Sequence, residues 1–177
     1  REDTRRLKEE MATFKDEMRA FKDRMEQNVR ENNKQWGALA NKMGTLVEDI
    51  IFPATRPVIQ SVFGVEVKQI AMRVMRQKDR EREEFDVVAV SETQAFLIEV
   101  KSSPRSDDLK DFAERKSQAF LRLFPEYQSL KLILIVAALS FPEDVVRQAT
   151  ERGVFAMAYR EWEYMDILNA KELLPQS

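Results

Sequence analysis

An α/β fold is predicted, a mixed sheet flanked by helices and preceded by a long charged helix. Three observations predict it. Apolar runs near 85–90, 95–100 and 132–137 are bounded by polar turns and have strand rather than helix length. Helical periodicity separates the later runs, as crossovers between parallel strands require. The first 35 residues are charged except for an apolar side chain every three or four positions, the seam of a coiled coil.

That seam is Leu7, Met11, Phe14, Met18, Phe21 and Met25, at spacings of 4, 3, 4, 3 and 4. A single helix cannot bury so narrow a stripe by itself. Residues 1–35 are therefore expected to form a coiled-coil oligomerisation helix, and residues 36–177 the globular domain. The pattern fades near Asn28. Asn32 falls on an a position, where a polar side chain can pin register.

From Trp36 the stripe widens through Leu39, Ala40, Met43, Leu46, Val47, Ile50 and Ile51, as on a helix packed against a core. Glu48 lies beside that stripe in the last turns. Pro53 is expected to stop the helix, with a further short helix over 55–63. A first strand is expected from Val65 to Met75. The stretch Arg76–Glu83 alternates bases with acids and reads as a charged, solvated hairpin connection. Glu84–Val90 and Ala95–Lys101 are the next strands, joined by Ser91-Glu92-Thr93-Gln94. Beyond Pro104 a helix capped by Ser106 or Asp107 runs to Phe124. Leu109, Phe112, Ala113, Lys116, Ala119, Phe120 and Leu123 lie near one of its faces, with Lys110, Arg115 and Arg122 on the other. Lys131–Ala137 is a buried strand. Ser140 and Glu143 have capping-box spacing before a helix that ends at Gly153. Val154–Tyr159 is the last strand, and Trp162, Met165, Leu168, Leu173 and Leu174 form an amphipathic tail.

Composition narrows the chemistry. The chain has no Cys and no His among 177 residues. Disulfides, thiol nucleophiles, zinc fingers and histidine-dependent triads are thereby excluded. None of the four glycines builds a phosphate-binding loop. A net charge of −2 gives no overall basic field, so any hold on nucleic acid must come from local patches. The longest apolar run, 132–139, is far too short to span a bilayer. No signal peptide is visible, and a cytoplasmic protein is the default expectation.

Oxygen ligands supported by Lys and Arg remain. Side chains alternate along a strand, so Glu99 and Lys101 share one face and Phe96, Ile98 and Val100 the other. A carboxylate and an ammonium ending an apolar strand are costly to bury without a purpose. Asp86, on the preceding strand, brings a second carboxylate if the two strands form a hairpin. Two carboxylates and a lysine at one point can hold a hard divalent cation and aim a water at a phosphodiester.

Asp86, twelve intervening residues, and Glu99-Val100-Lys101 resemble the core motif of the PD-(D/E)XK nuclease superfamily, and Glu48 resembles its additional helical acid. The likeness extends from Trp36 to the C-terminus. Phe85 stands where many members have proline, and Gln118 is followed four residues later by Arg122 rather than by the tyrosine of some exonuclease branches. The resemblance implies a restriction-endonuclease-like fold and a metal-dependent nuclease, with DNA as the expected nucleic acid. It implies Mg²⁺ or Mn²⁺ held by Asp86, Glu99 and the Val100 carbonyl, and Glu48 on a second metal or a metal-bound water. Lys101 would orient or deprotonate the attacking water. Two further readings stand beside it. One is a catalytically quiet relative that assembles or tethers through its coiled coil; the other is a purely structural ion pair of Lys101 with Asp86 or Glu99.

Overall fold

A computed structural model describes residues 2–160 and 164–175; no side chain is described at 1–12, 33, 34, 36, 37, 39–41 or 164. The seam residues Leu7 and Met11, the helix residues Trp36, Leu39 and Ala40, and Trp162 therefore lie outside the described side chains. The chain divides into two compact units, residues 1–42 and 43–177.

The first unit is helical throughout its described length, part of a helix α1 that runs from Glu2 to Phe63. Its described seam residues Phe14, Met18, Phe21 and Met25, with Val29 beyond them, are 49–64% exposed.

Within the second unit α1 continues through Pro53 and Pro57, so Pro53 does not end it. The reason is tertiary. Ile51, Ala54, Val58 and Ile59 on this segment are buried, and burying each large side chain is worth roughly 1.5–3 kcal/mol. An interior proline costs roughly 3 kcal/mol. The Thr55 hydroxyl also donates to the Ile51 carbonyl at 3.0 Å.

Six strands come after it: β1 (Gln69–Lys78), β2 (Glu81–Val90), β3 (Gln94–Val100), β4 (Lys131–Ala138), β5 (Phe155–Arg160) and β6 (Tyr164–Ile167). They lie side by side in sequence order. β1, β2 and β3 are an antiparallel meander, β3, β4 and β5 are parallel, and β6 returns antiparallel to β5. Helices α2 (Ser106–Asp111) and α3 (Ser117–Leu123), separated by a π-turn at Phe112–Lys116, connect β3 to β4; α4 (Glu143–Glu151) connects β4 to β5. A short α5 (Ala170–Leu173) closes the described chain.

Two cores flank the sheet. Phe96, Ile98, Ile135 and Met157 pack with Ile51 and Ile59 of α1. Leu97, Val136 and Ala156 pack with Leu109, Phe112 and Phe120 on the opposite face. The expected α/β fold, a mixed sheet with helices on both faces and an N-terminal helix, is the one observed. Among the described residues no helix is long and apolar enough to cross a membrane.

Several local expectations are corrected. β1 begins at Gln69 rather than Val65, and the charged stretch is a strand pair instead of a loop. Arg76↔Glu83 and Lys78↔Glu81 are cross-strand partners, and opposite charges placed so stabilise a ladder. The turn shrinks to Asp79-Arg80, with Asp79 at φ +54°. Neither Ser106 nor Asp107 caps α2: the N-cap is Arg105, whose amide donates to Asp108 Oδ2 at 2.9 Å. The Ser140 box does not form, because Pro142 is the N-cap of α4 and no side chain caps it. Gly153 does come after α4 in the left-handed conformation, at φ +67°. The C-terminal tail contains β6, tied down by buried Asn169. Its Oδ1 accepts from the Ala156 amide, and its Nδ2 donates to the Val154 carbonyl and the Thr150 hydroxyl, each at 2.9 Å.

Candidate functional site

The site lies where the sheet parts. Toward the C-terminal end of β3 the last rung shared with β2 is Val87↔Ile98, and one residue farther lie Asp86 and Glu99. On the other side of β2, Met72 pairs with Val87 and Val74 with Phe85, but the intervening Arg73 and Asp86 do not pair. Arg73 has φ +52°, a left-handed conformation that costs roughly 1–2 kcal/mol outside glycine. Both strands change faces at this rung. Val87 and Ala89 belong to the α1 core and Phe85 to the opposite one. Asp86 is thus turned out of the regular alternation. Its Oδ2 accepts a hydrogen bond from the Val100 amide at 2.7 Å, bridging the gap between β2 and β3.

Glu99 is only 7% exposed, and both of its carboxylate oxygens are engaged. Lys101 Nζ lies 3.2 Å from Oε1, and Lys116 Nζ donates to Oε2 at 2.5 Å. Lys101 also stands 3.8 Å from Asp108 Oδ1. Burial pulls the Lys101 ammonium toward neutrality, but Glu99, Asp108 and Asp86 outweigh it and hold its pKa above the ordinary value. Asp86 is pushed the other way for an acid, up to about 6. Burial is the main cause and the Glu99 charge the next, with a contribution from Glu48, while the Val100 amide and Lys116 oppose the rise.

The structure therefore brings Asp86, Glu99, Val100 and Lys101 together. The Val100 amide is engaged by Asp86, and its carbonyl is the oxygen expected to serve as a ligand. Glu48 is near enough for its charge to act on Asp86, but its Oε2 accepts from Arg73 Nε at 2.8 Å. The same guanidinium reaches Asp49 Oδ1 through Nη2 at 3.2 Å. Among the described residues no three acidic side chains converge closely enough to hold a metal ion by themselves. Asp86 and Glu99 are the pair that could, helped by backbone oxygens.

Sequence reasoning places Lys116 on a helix face but not at the site, and it is 7% exposed beside Glu99. A signal exists: a lysine on the apolar face between Leu109 and Leu123. Three of the arginines on the charged arm and the outer helix face are matched by acids. Arg115 pairs with Glu83 and Asp111, Arg122 with Glu81, and Arg76 with Glu126.

No family model matches this sequence, and no curated protein does. Solved structures similar to this chain include two of low identity. Protein VC1899 from Vibrio cholerae is 16% identical with a TM-score of 0.43, covering 62% of this chain and 28% of that one. The small subunit of the heterodimeric restriction endonuclease R.BspD6I is 14% identical with a TM-score of 0.31, covering 59% of each chain. The chain thus spans less than two thirds of either protein's length. Neither likeness bears on activity, which must be read from the side chains.

Proposed function

We propose that the chain is a metal-dependent nuclease of the PD-(D/E)XK kind, hydrolysing phosphodiester bonds of nucleic acid, with DNA as the expected substrate. The observation that carries this reading is the meeting of Asp86, Glu99 and Lys101 at the rung where β2 and β3 part. The donor set fits a hard divalent cation: its ligands are all oxygen. Its two carboxylates also sit close enough that Glu99 makes Asp86 harder to ionise.

Asp86, Glu99 and the Val100 carbonyl would hold Mg²⁺ or Mn²⁺. Such an ion supplies an acidified water and a counter-charge for the phosphate. Lys101, kept protonated by its acidic neighbours, donates to the attacking water or to the charge developing on phosphate oxygen. Glu48 would take a second ion or a bound water beside its contact with Arg73. The quiet-relative reading is favoured by one observation, the occupation of both Glu99 oxygens by lysine.

Cleavage of single-stranded, duplex and branched substrates with Mg²⁺ or Mn²⁺ tests the proposal. Asp86→Asn is expected to abolish cleavage. Lys101→Ala is expected to lower kcat by about 10²-fold or more, the usual size of a lost proton-transfer or charge-stabilising group, with divalent-ion affinity nearly unchanged. A wild-type protein inert on the whole panel sinks the nuclease reading.

The seam supports a homo-oligomer, most simply a dimer, through residues 7–25. Its exposed Phe and Met side chains, each worth roughly 1.5–3 kcal/mol on full burial, have the spacing of a coiled coil. Two domains on one stalk would place two sites on one particle, suited to cutting both strands. Phe14→Glu with Phe21→Glu is expected to sediment as a monomer with the globular domain folded. A wild-type chain that is already monomeric at micromolar concentration defeats this.

A further inference from the structure

We propose that Lys116 is the stand-in cation of this site. Its ammonium holds Glu99 in the metal-free protein and is exchanged for a divalent ion, with which it competes. The inference rests on the metal-site reading above and adds to it a residue the core motif does not contain.

Four observations lead there. Lys116 approaches Glu99 from a different element than Lys101 does, at the end of the π-turn Phe112–Lys116. π-turns are rare inside helices and occur often at functional sites. This one is well made: the Ser117 amide reaches the Phe112 carbonyl, and the Ser117 hydroxyl donates to the Ala113 carbonyl at 2.6 Å. The ammonium is buried, against Glu99 on one side and 5.8 Å from the centre of the Phe85 ring on another. Buried lysines are rare unless paired. Its charge is also felt at Asp86, where it favours ionisation. Lys116 thus acts on both carboxylates, as a metal between them would.

Charge balance decides which cation leaves. Asp86 and Glu99 carry two negative charges when ionised, and Lys101 and Lys116 two positive ones. A divalent ion added with both ammonium groups in place gives these four side chains two excess positive charges, offset only in part by Asp108, which a low-dielectric setting penalises. One ammonium must give way on Glu99. Lys101 has a second carboxylate, Asp108, at 3.8 Å, and can stay at the site once Glu99 turns to a metal. Lys116 has Glu99 as its close acceptor, so the exchange falls on Lys116, and the released ammonium becomes available to an incoming phosphate.

Calorimetric titration with Mn²⁺ alone tests this, independently of cleavage. Lys116→Met is expected to bind Mn²⁺ at least about tenfold more tightly than wild type, equivalent to about 1.4 kcal/mol. Lys116→Arg, which keeps the competing cation, is expected to restore wild-type affinity. The gain should vanish in Glu99→Gln/Lys116→Met. Equal or weaker binding by a cooperatively folded Lys116→Met overturns the proposal. Should that variant not fold, the wild-type protein gives the answer by NMR of its lysine ammonium groups. The buried Lys116 signal must shift or exchange faster as Mg²⁺ saturates the site, and an unmoved signal overturns the exchange. If neither wild type nor a folded Lys116→Met binds Mn²⁺, the metal reading fails and takes this proposal with it. Tighter binding by Lys116→Met with no cleavage by either protein supports the exchange and removes only the nuclease reading.

Discussion

Replacing Glu99 by alanine is expected to destabilise the fold by about 3–5 kcal/mol, the range for removing one partner of a buried ion pair. Glu99 and Lys116 are each 7% exposed, and their contact at 2.5 Å leaves no room for water between them. The truncation therefore strands an ammonium in the α2–α3 core beside Phe85. Lys101, with a side chain one-third exposed, can turn toward water or Asp108 and adds little to the penalty. Removing both charges should be far milder: Glu99→Ala/Lys116→Met is expected to recover most of the loss, since no unpaired charge stays buried. Urea denaturation of the two single variants and the double variant gives the coupling energy directly. A Glu99→Ala penalty below about 1 kcal/mol would mean that Lys116 reaches solvent freely and that the buried pair is not one. For the same reason Asp86→Asn is a cleaner probe of chemistry than Glu99→Ala, whose inactivity could reflect a weakened fold.

The framework of the site is legible in the sequence because it comes from alternation. Glu99 and Lys101 fall on the face opposite Phe96 and Ile98, and the structure puts those two apolar side chains in the α1 core. The face change at Asp86 is hidden, because Phe85, Val87 and Val88 are all apolar and all buried; a run apolar on both sides carries no phase. Arg73 offers no signal either, since a positive φ at a non-glycine is set by the break in the ladder and not by the residue itself. The charged arm Arg76–Glu83 reads as solvated because its charges are all that shows locally. Its partners lie across the strand and on the α2–α3 connection, where Arg122 reaches Glu81 and Arg115 reaches Glu83, and such long-range pairs leave no local trace. β6 is hidden by its length of four residues, too few to show a period, and it is fixed from outside by Asn169. Lys116 is the recoverable omission: one charge on an apolar helical face implies an acid opposite it.

Asp86→Asn is expected to stabilise the metal-free protein above about pH 6 and to change little below about pH 4. Burial and the Glu99 charge lift Asp86 from the ordinary 3.8 to about 6 in the folded protein. Between those values the folded chain binds a proton that the unfolded chain releases, so stability falls as pH rises. The contribution of protonated Asp86 is fully present below 3.8 and is lost as pH passes about 6. Its size is about 2–3 kcal/mol, from 1.36 kcal/mol for each pH unit between the two states. Asparagine matches the protonated acid in shape, and its Oδ1 can still accept from the Val100 amide, so the variant escapes the loss. Denaturant midpoints of the two proteins, measured from about pH 4 to about pH 8 in chelator, should therefore coincide at the acid end and separate through about pH 5–6. Saturating Mg²⁺ should close the gap from the wild-type side, because an ion bound to the folded state alone stabilises it by mass action and needs Asp86 ionised. Parallel stability profiles in chelator would place the Asp86 carboxyl in contact with water, and its burial between β2 and β3 would no longer explain the site.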